Sequence, residues 1–362
     1  MVALCLALIV AAQNPRWEWH STQGSLLSLA KDPARPYLYA ARNEGGVAVL
    51  DAELGRQIAL VPKKDLGGLD ATTLLQRGDS LYVALGNFFN PRGSKYGVAR
   101  VDVSHPDRPR VVDLFESGSK ERGASGLAAR GDTLAMGLMS RGLAIFDTSG
   151  AAIRLLTTFK PDPDYPVRKP KEPHVPNARG LAFDGNILYV AYDAGGLRVI
   201  DLADPVHPRE VGRYLQEGMK KKQQAYNNLV VDGPLAYVAV DYAGVEIVDI
   251  SDPEHIKQVS WWNPWHAERP GNVWFNSKGH ASQLVFDKAR NTLYVAAGDS
   301  DMVALDVSDP AHPRQTGSFG RPGDGLGTWG IEMSPGRLYL SYILAAVPFR
   351  GTWAGIKALT IP

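Results

Sequence analysis

The chain has almost no cysteine: a single residue among 362, at position 5. Cys5 falls in an apolar run at the start. Without it the chain has no disulfide, no thiolate metal site and no cysteine nucleophile. An excess of one charge is also missing. Lys and Arg number 39 against 38 Asp and Glu, a formal net charge of +1. No global field therefore draws the chain to nucleic acid or to an anionic membrane. No apolar run approaches the roughly 20 residues of a bilayer-spanning helix. The run over residues 2–12 is too short and ends in Val10-Ala11-Ala12 before polar Gln13-Asn14. That order fits a signal-peptide core and cleavage site, although no basic segment precedes it. Residues 1–12 are expected to be a signal peptide and 13–362 one domain, placed in the periplasm or at the cell surface without a transmembrane segment.

Catalytic signatures are scarce as well. There is no G-x-S-x-G elbow, no H-E-x-x-H pair, no phosphate loop and no zinc-finger spacing. Gly325-Leu-Gly327-Thr-Trp-Gly330 spells G-x-G-x-x-G. It leads into a strand pattern, so no helix N-terminus is present to hold a pyrophosphate.

What is abundant is repetition. Val-Ile-Asp-Leu-Ala-Asp-Pro ends at Pro205, Ile-Val-Asp-Ile-Ser-Asp-Pro at Pro253 and Ala-Leu-Asp-Val-Ser-Asp-Pro at Pro310. Each follows a Tyr-Val-Ala strand by about a dozen residues. Seven such units can be traced. Their second strands centre on Tyr39, Tyr82, Ala135, Tyr189, Tyr237, Tyr294 and Tyr339, and the third strands of the first six end in Asp51, Asp102, Asp147, Asp201, Asp249 and Asp306. Periods of this size suit four-stranded propeller blades. Gly46, Gly97, Gly142, Gly196 and Gly244 precede third strands and are expected to supply positive φ. The terminal aspartates are expected to bond turn amides. The seventh unit ends at Thr360 without a fourth strand. Arg16-Trp17-Glu18-Trp19 alternates as a half-exposed strand should. Paired beside residues 356–360, it would close the ring and remove its open edges. The expected fold is all-β, a seven-bladed β-propeller of four-stranded blades closed by an N-terminal strand on the C-terminal blade.

The Val-Ile-Asp and Ile-Val-Asp cores, flanked by Tyr-Val-Ala and Ser-Asp-Pro, resemble the LVIVD-repeat family of bacterial and archaeal propellers. The resemblance covers the chain after about Arg16 and is clearest in units four to six. It implies a propeller in an exported setting. It transfers no catalytic residues.

Function is expected on the face that carries the long loops, residues 87–96, 160–179, 216–226, 261–280, 319–329 and 343–354. This face has a positive surplus, chiefly from Arg168, Lys169 and Lys171 and from Lys220, Lys221 and Lys222. Such loops suit an anionic ligand or acidic partner, and equally serve solubility. Trp261, Trp262, Trp265 and Trp274 crowd one loop, where they could stack on sugar rings, anchor a partner or pack the loop itself. Around the channel mouth the candidates are Arg42, Glu44, Arg122, Arg141, Arg179, Asp193, Tyr226, Asp241, His280, Asp299 and Trp329. Arginines there could grip carboxylate or phosphate. His174, His280, Asp193, Asp241 and Asp299 are the side chains from which a metal site could be assembled. The leading expectation is a non-catalytic binding or scaffold propeller, holding a protein, a cell-envelope component or an anionic glycan, without nucleic acid and without a cofactor. The alternative is a metal-dependent hydrolase or lyase at the channel mouth.

Overall fold

A computed structural model describes residues 14–88, 95–118, 123–171, 174–220, 222–348 and 350–361. Residues 1–13, Arg122 and Lys221, named above, lie outside these. The described residues form seven four-stranded antiparallel sheets arranged as a propeller. Six blades run in chain order, over residues 28–61, 71–116, 127–159, 181–214, 228–262 and 283–319. Blade 7 takes three strands from residues 328–360 and its outermost strand from Trp17–His20. Trp17 stands opposite Ala358 and Trp19 opposite Ile356. The N-terminal strand thus closes the ring, as its alternation requires.

Apolar packing is divided among the seams. One cluster joins each blade to the next, and the seventh joins blade 7 to blade 1 through Tyr339, Ile356, Leu38 and Leu50. This is why the second strands read as continuous apolar runs: both faces are covered. The terminal aspartates behave as expected. Asp51, Asp102, Asp147, Asp201, Asp249 and Asp306 each accept the amide two residues on, at 2.8–2.9 Å. On the same side of the ring His207, His255 and His312 bond Asp204, Asp252 and Asp309 at 2.8–3.0 Å, pinning the turns.

One of the five glycines departs from the expectation. Gly46, Gly142, Gly196 and Gly244 have φ of 79–89°, but Gly97 is not left-handed. It is needed for close approach, because a Cβ there would meet Phe115 O at 2.6 Å. In blade 6 the glycine is replaced by Asp301, held at φ 55° and 1% exposed.

The innermost strands line the channel in register. Leu29, Leu74, Leu127, Leu181, Leu229, Leu284 and Ile331 pair with Ala40, Val83, Met136, Val190, Val238, Val295 and Leu340, so they occupy one equivalent position and form a belt. One residue further along, opposite the second-strand tyrosines and, in blade 3, Ala135, stand Ala30, Leu75, Ala128, Ala182, Val230 and Val285. In blade 7 that position holds Glu332.

Candidate ligand site at the mouth of the channel

The connection from the second to the third strand places one residue of a blade against the start of the next. Asn43, Met139, Asp193 and Asp241, all at φ of 42–53°, form backbone bridges with Ala71, Ala178, Tyr226 and Ala281. Asn and Asp tolerate the left-handed region better than most residues. This geometry sets the Asp193 and Asp241 carboxyls at the rim of the channel on adjacent blades.

Each carboxyl is buried and partnered. Asn177 Nδ2 donates to Asp193 Oδ2 at 2.8 Å, and Arg179 Nη2 lies 3.3 Å from the same oxygen. Asn227 Nδ2 donates to Asp241 Oδ2 at 3.2 Å, and His280 Nδ1 lies 2.5 Å from Asp241 Oδ1. The two acids are driven apart. Burial raises Asp193, outweighing Arg179 and Asn177, with Asp241 adding to the rise. Burial also works on Asp241, but there His280 and Asn227 prevail and hold it below the ordinary range. Asp299 is raised by burial despite the His280 charge nearby.

The opposite half of the mouth is aromatic. Blade 7 has a bulge between Thr328 and Gly330. The extra residue is Trp329, and bulges commonly re-aim a side chain in this way. Trp329 meets Phe88 of blade 2 edge-on at 5.5 Å, beside Leu27 and Ile343. The Arg179 guanidinium lies 5.5 Å over the Phe88 ring, so it spans from its own blade to the aromatic half. Below these groups lies a cavity of about 210 Å³, lined by Arg179, Phe88, Trp329, Asn227, Asn228, Gln283, Glu332 and every member of the apolar belt except Leu229.

The structure therefore brings Arg179, Asp193, Asp241, His280 and Asp299 together, with Trp329 facing them. Asp299 is offset from the other aspartates by one place. Gly298 is the residue that bridges to the next blade, at Thr328, so Asp299 is not the blade 6 counterpart of Asp193. Tyr226 supplies backbone to the rim, but its hydroxyl turns away to Glu246 at 3.0 Å and Gln216 N at 3.0 Å. Arg42 packs over Trp19, beside Ser21. Glu44 and Arg141 are exposed, and so is His174, which lines a separate recess with Lys220 and Lys222. Among the described residues no three His, Cys, Asp or Glu side chains form a group able to hold a metal ion.

The tryptophan-rich loop is largely turned inward. Trp262 is 9% exposed and meets Trp265 edge-on at 5.5 Å. Trp261 Nε1 donates to Ala243 O at 2.6 Å, Trp265 covers Gly279, and Trp274 packs on the seam of blades 4 and 5. The basic loops are also partly used up. Lys222 Nζ is held by the carbonyls of Ala267, Arg269 and Asn272, and Lys220 pairs with Glu217.

The residues missed at the sequence level are Asn177, Asn227, Phe88 and Glu332. Asn227 occupies the place equivalent to Arg179, each following a bridging residue. A strict alignment of the repeats around that place exposes it, and it also exposes Glu332 as a carboxylate among alanines, valines and a leucine.

Fold and rim together define a seven-bladed propeller with a polar-and-aromatic channel mouth. The chain carries LVIVD repeats: the family model matches residues 177–216, 226–260 and 291–320, which fall on blades 4, 5 and 6. No curated protein matches the chain. Among solved structures, the WD40 repeats of RRP9 are similar at 13% identity and a TM-score of 0.69, over 95% of this chain and 98% of that one. U3-55K gives 12% and 0.69, over 95% and 98%. The computationally designed Ika8 protein gives 11% and 0.56, over 96% and 100%. At such identities the likeness is one of fold alone. No helix among the described residues is long and apolar enough to cross a membrane.

Proposed function

We propose that this chain is a binding propeller that takes its ligand at the channel mouth on the long-loop face, in an exported setting. The observation that carries the reading is the two-sided rim. Arg179 of blade 4 and Asn227 of blade 5 line a cavity of about 210 Å³ together with Phe88 and Trp329, and Asp193, Asp241 and His280 support them from behind. A cavity that combines convergent polar groups with aliphatic and aromatic side chains is the usual form of a small-molecule site. The apolar run at residues 2–12 supports export. The tryptophan loop gives less support to a glycan platform, because its rings pack inward.

Saturation-transfer NMR against small molecules and short glycans of the cell envelope tests the reading. Binding is expected to be lost in Arg179→Ala with Trp329→Ala and kept in Phe275→Ser on the tryptophan loop. Loss in Phe275→Ser alone would overturn it.

A second reading, a hydrolase or lyase at the same mouth, draws on the opposed displacement of Asp193 and Asp241, since acid–base pairs are built that way. Asp241 would orient His280, which would move the proton. The residues do not converge as a metal-holding group, so no step is assigned to a metal. Turnover of small esters, lactones and phosphate esters by the purified chain, lost in His280→Ala, supports this second reading; binding without turnover leaves the first.

A further inference from the structure

Glu332 breaks the repeat at a place where nothing in the fold calls for a charge. Its counterparts in the other six blades are Ala, Val or Leu, each opposite the second-strand residue that Tyr339 matches in blade 7. Departures of this kind from an otherwise consistent pattern are where function is expected. Glu332 lines the cavity, one position along the strand from Ile331 of the apolar belt. One carboxyl oxygen accepts Met333 N at 2.8 Å. Lys31 of blade 1 is the nearest opposite charge. Its ammonium, however, is held by the carbonyls of Asp32 and Arg35 at 2.5 and 2.6 Å. At the other end of the cavity stands Arg179, whose Nε is buried without a hydrogen-bond acceptor.

Resting on the binding reading above, we propose that the channel takes a short, rod-like amphoteric molecule. Its anionic end lies on Arg179 at the mouth, its aliphatic middle passes the belt of Leu29, Leu74, Leu127, Leu181, Leu284 and Ile331, and its cationic end reaches Glu332. Trp329 at the mouth and Glu332 are three residues apart on one strand with a bulge at Trp329, so along that strand the mouth and Glu332 are at most on the order of 10 Å apart at ~3.3 Å per residue. The belt favours an aliphatic middle, because polar groups set against it would be desolvated without compensation there. Burial lifts the Glu332 carboxyl to about 7, against the amides of Met333 and Lys31 and the Lys31 charge. The titratable groups packed around it are Lys31 and Tyr339. A bound ammonium holds the carboxyl ionised, so affinity falls as pH drops through 7.

Calorimetric titration of the full chain with 8-aminooctanoate, octanoate and octylamine tests this. We expect 8-aminooctanoate to bind at least about tenfold more tightly than either single-ended probe. Glu332→Gln should reduce it to the level of octanoate, and Arg179→Gln to that of octylamine. In the unsubstituted chain the affinity should weaken several-fold between pH 8 and pH 6, which carries the test even if Glu332→Gln does not fold. Equal binding of the three probes, or no binding, overturns the inference. If the envelope screen still shows binding that depends on Arg179 and Trp329, only this inference falls. If that screen is silent too, the binding reading falls with it.

Discussion

Glu246 shows how a single buried residue couples the fold to pH. It is 0% exposed, with its carboxyl 3.0 and 3.2 Å from the Tyr226 hydroxyl. Burial raises it to about 8, although Tyr226 and Tyr214 donate to it. The folded protein therefore holds this proton more tightly than the unfolded chain does. The stability so gained is complete below about pH 4.5 and is lost as pH rises through 8. Glu246→Gln keeps the shape and removes the titration. In urea unfolding, the stability of the unsubstituted chain relative to Glu246→Gln should fall by up to about 1.4 kcal/mol per pH unit between pH 5 and pH 8. A difference that stays constant over that range contradicts the assignment. Asp301 and Glu332 are raised to about 7 and act in the same direction, so the comparison with the variant is what isolates Glu246.

The long loops owe their order to buried charges at one equivalent position of the third strands. Where blades 1 to 3 have Ala48, Ala99 and Ala144, blade 4 has Arg198. It is 0% exposed and pairs with Glu210 at 2.6 Å. It also donates to the carbonyls of Gly195, Asp162 and Tyr165 at 2.8–3.0 Å and lies between the rings of Tyr165 and Tyr192. One guanidinium thus fastens the loop over residues 160–179 to its blade. Arg198→Ala leaves these carbonyls without their donor and Glu210 without its counter-charge, though Glu210 still accepts from Asp162 N, at a cost of about 3–5 kcal/mol. Limited proteolysis should then cut within residues 160–179 well before the rest of the chain. An unchanged cleavage rate there refutes the fastening role.

The strand ends and turns were legible in sequence because they rest on local chemistry. An aspartate that must bond the amide two residues on marks the end of a third strand, and Gly46, Gly142, Gly196 and Gly244 mark its beginning. The direction of side chains was less legible. The bulge that turns Trp329 into the mouth shifts the register by one residue and leaves no mark in an alternating pattern. Tyr226 was placed at the rim by its backbone, while Glu246 draws its hydroxyl elsewhere. Asp299 aligns in sequence with Asp193 and Asp241, but Asp301 adopts the glycine conformation in blade 6, and no local pattern marks that. Packing, which is non-local, decided all three.

At the scale of the molecule, seven seams of apolar packing and a closing strand from the far end of the chain hold a rigid ring. Rigidity is what fixes groups from blades 2, 4, 5, 6 and 7 around one opening. The two faces of the ring differ in kind. One carries short turns stapled by Asp–His pairs, and the other carries the long loops and the rim. The claim on which the account depends is that binding occurs at that rim. Hydrogen–deuterium exchange of the full chain, with and without a cell-envelope extract, measures it most directly. The account predicts added protection at residues 177–181, 193–195, 227–229, 280–283 and 328–331. Protection confined to the opposite face, at residues 202–208, 250–256 and 307–313, would contradict it.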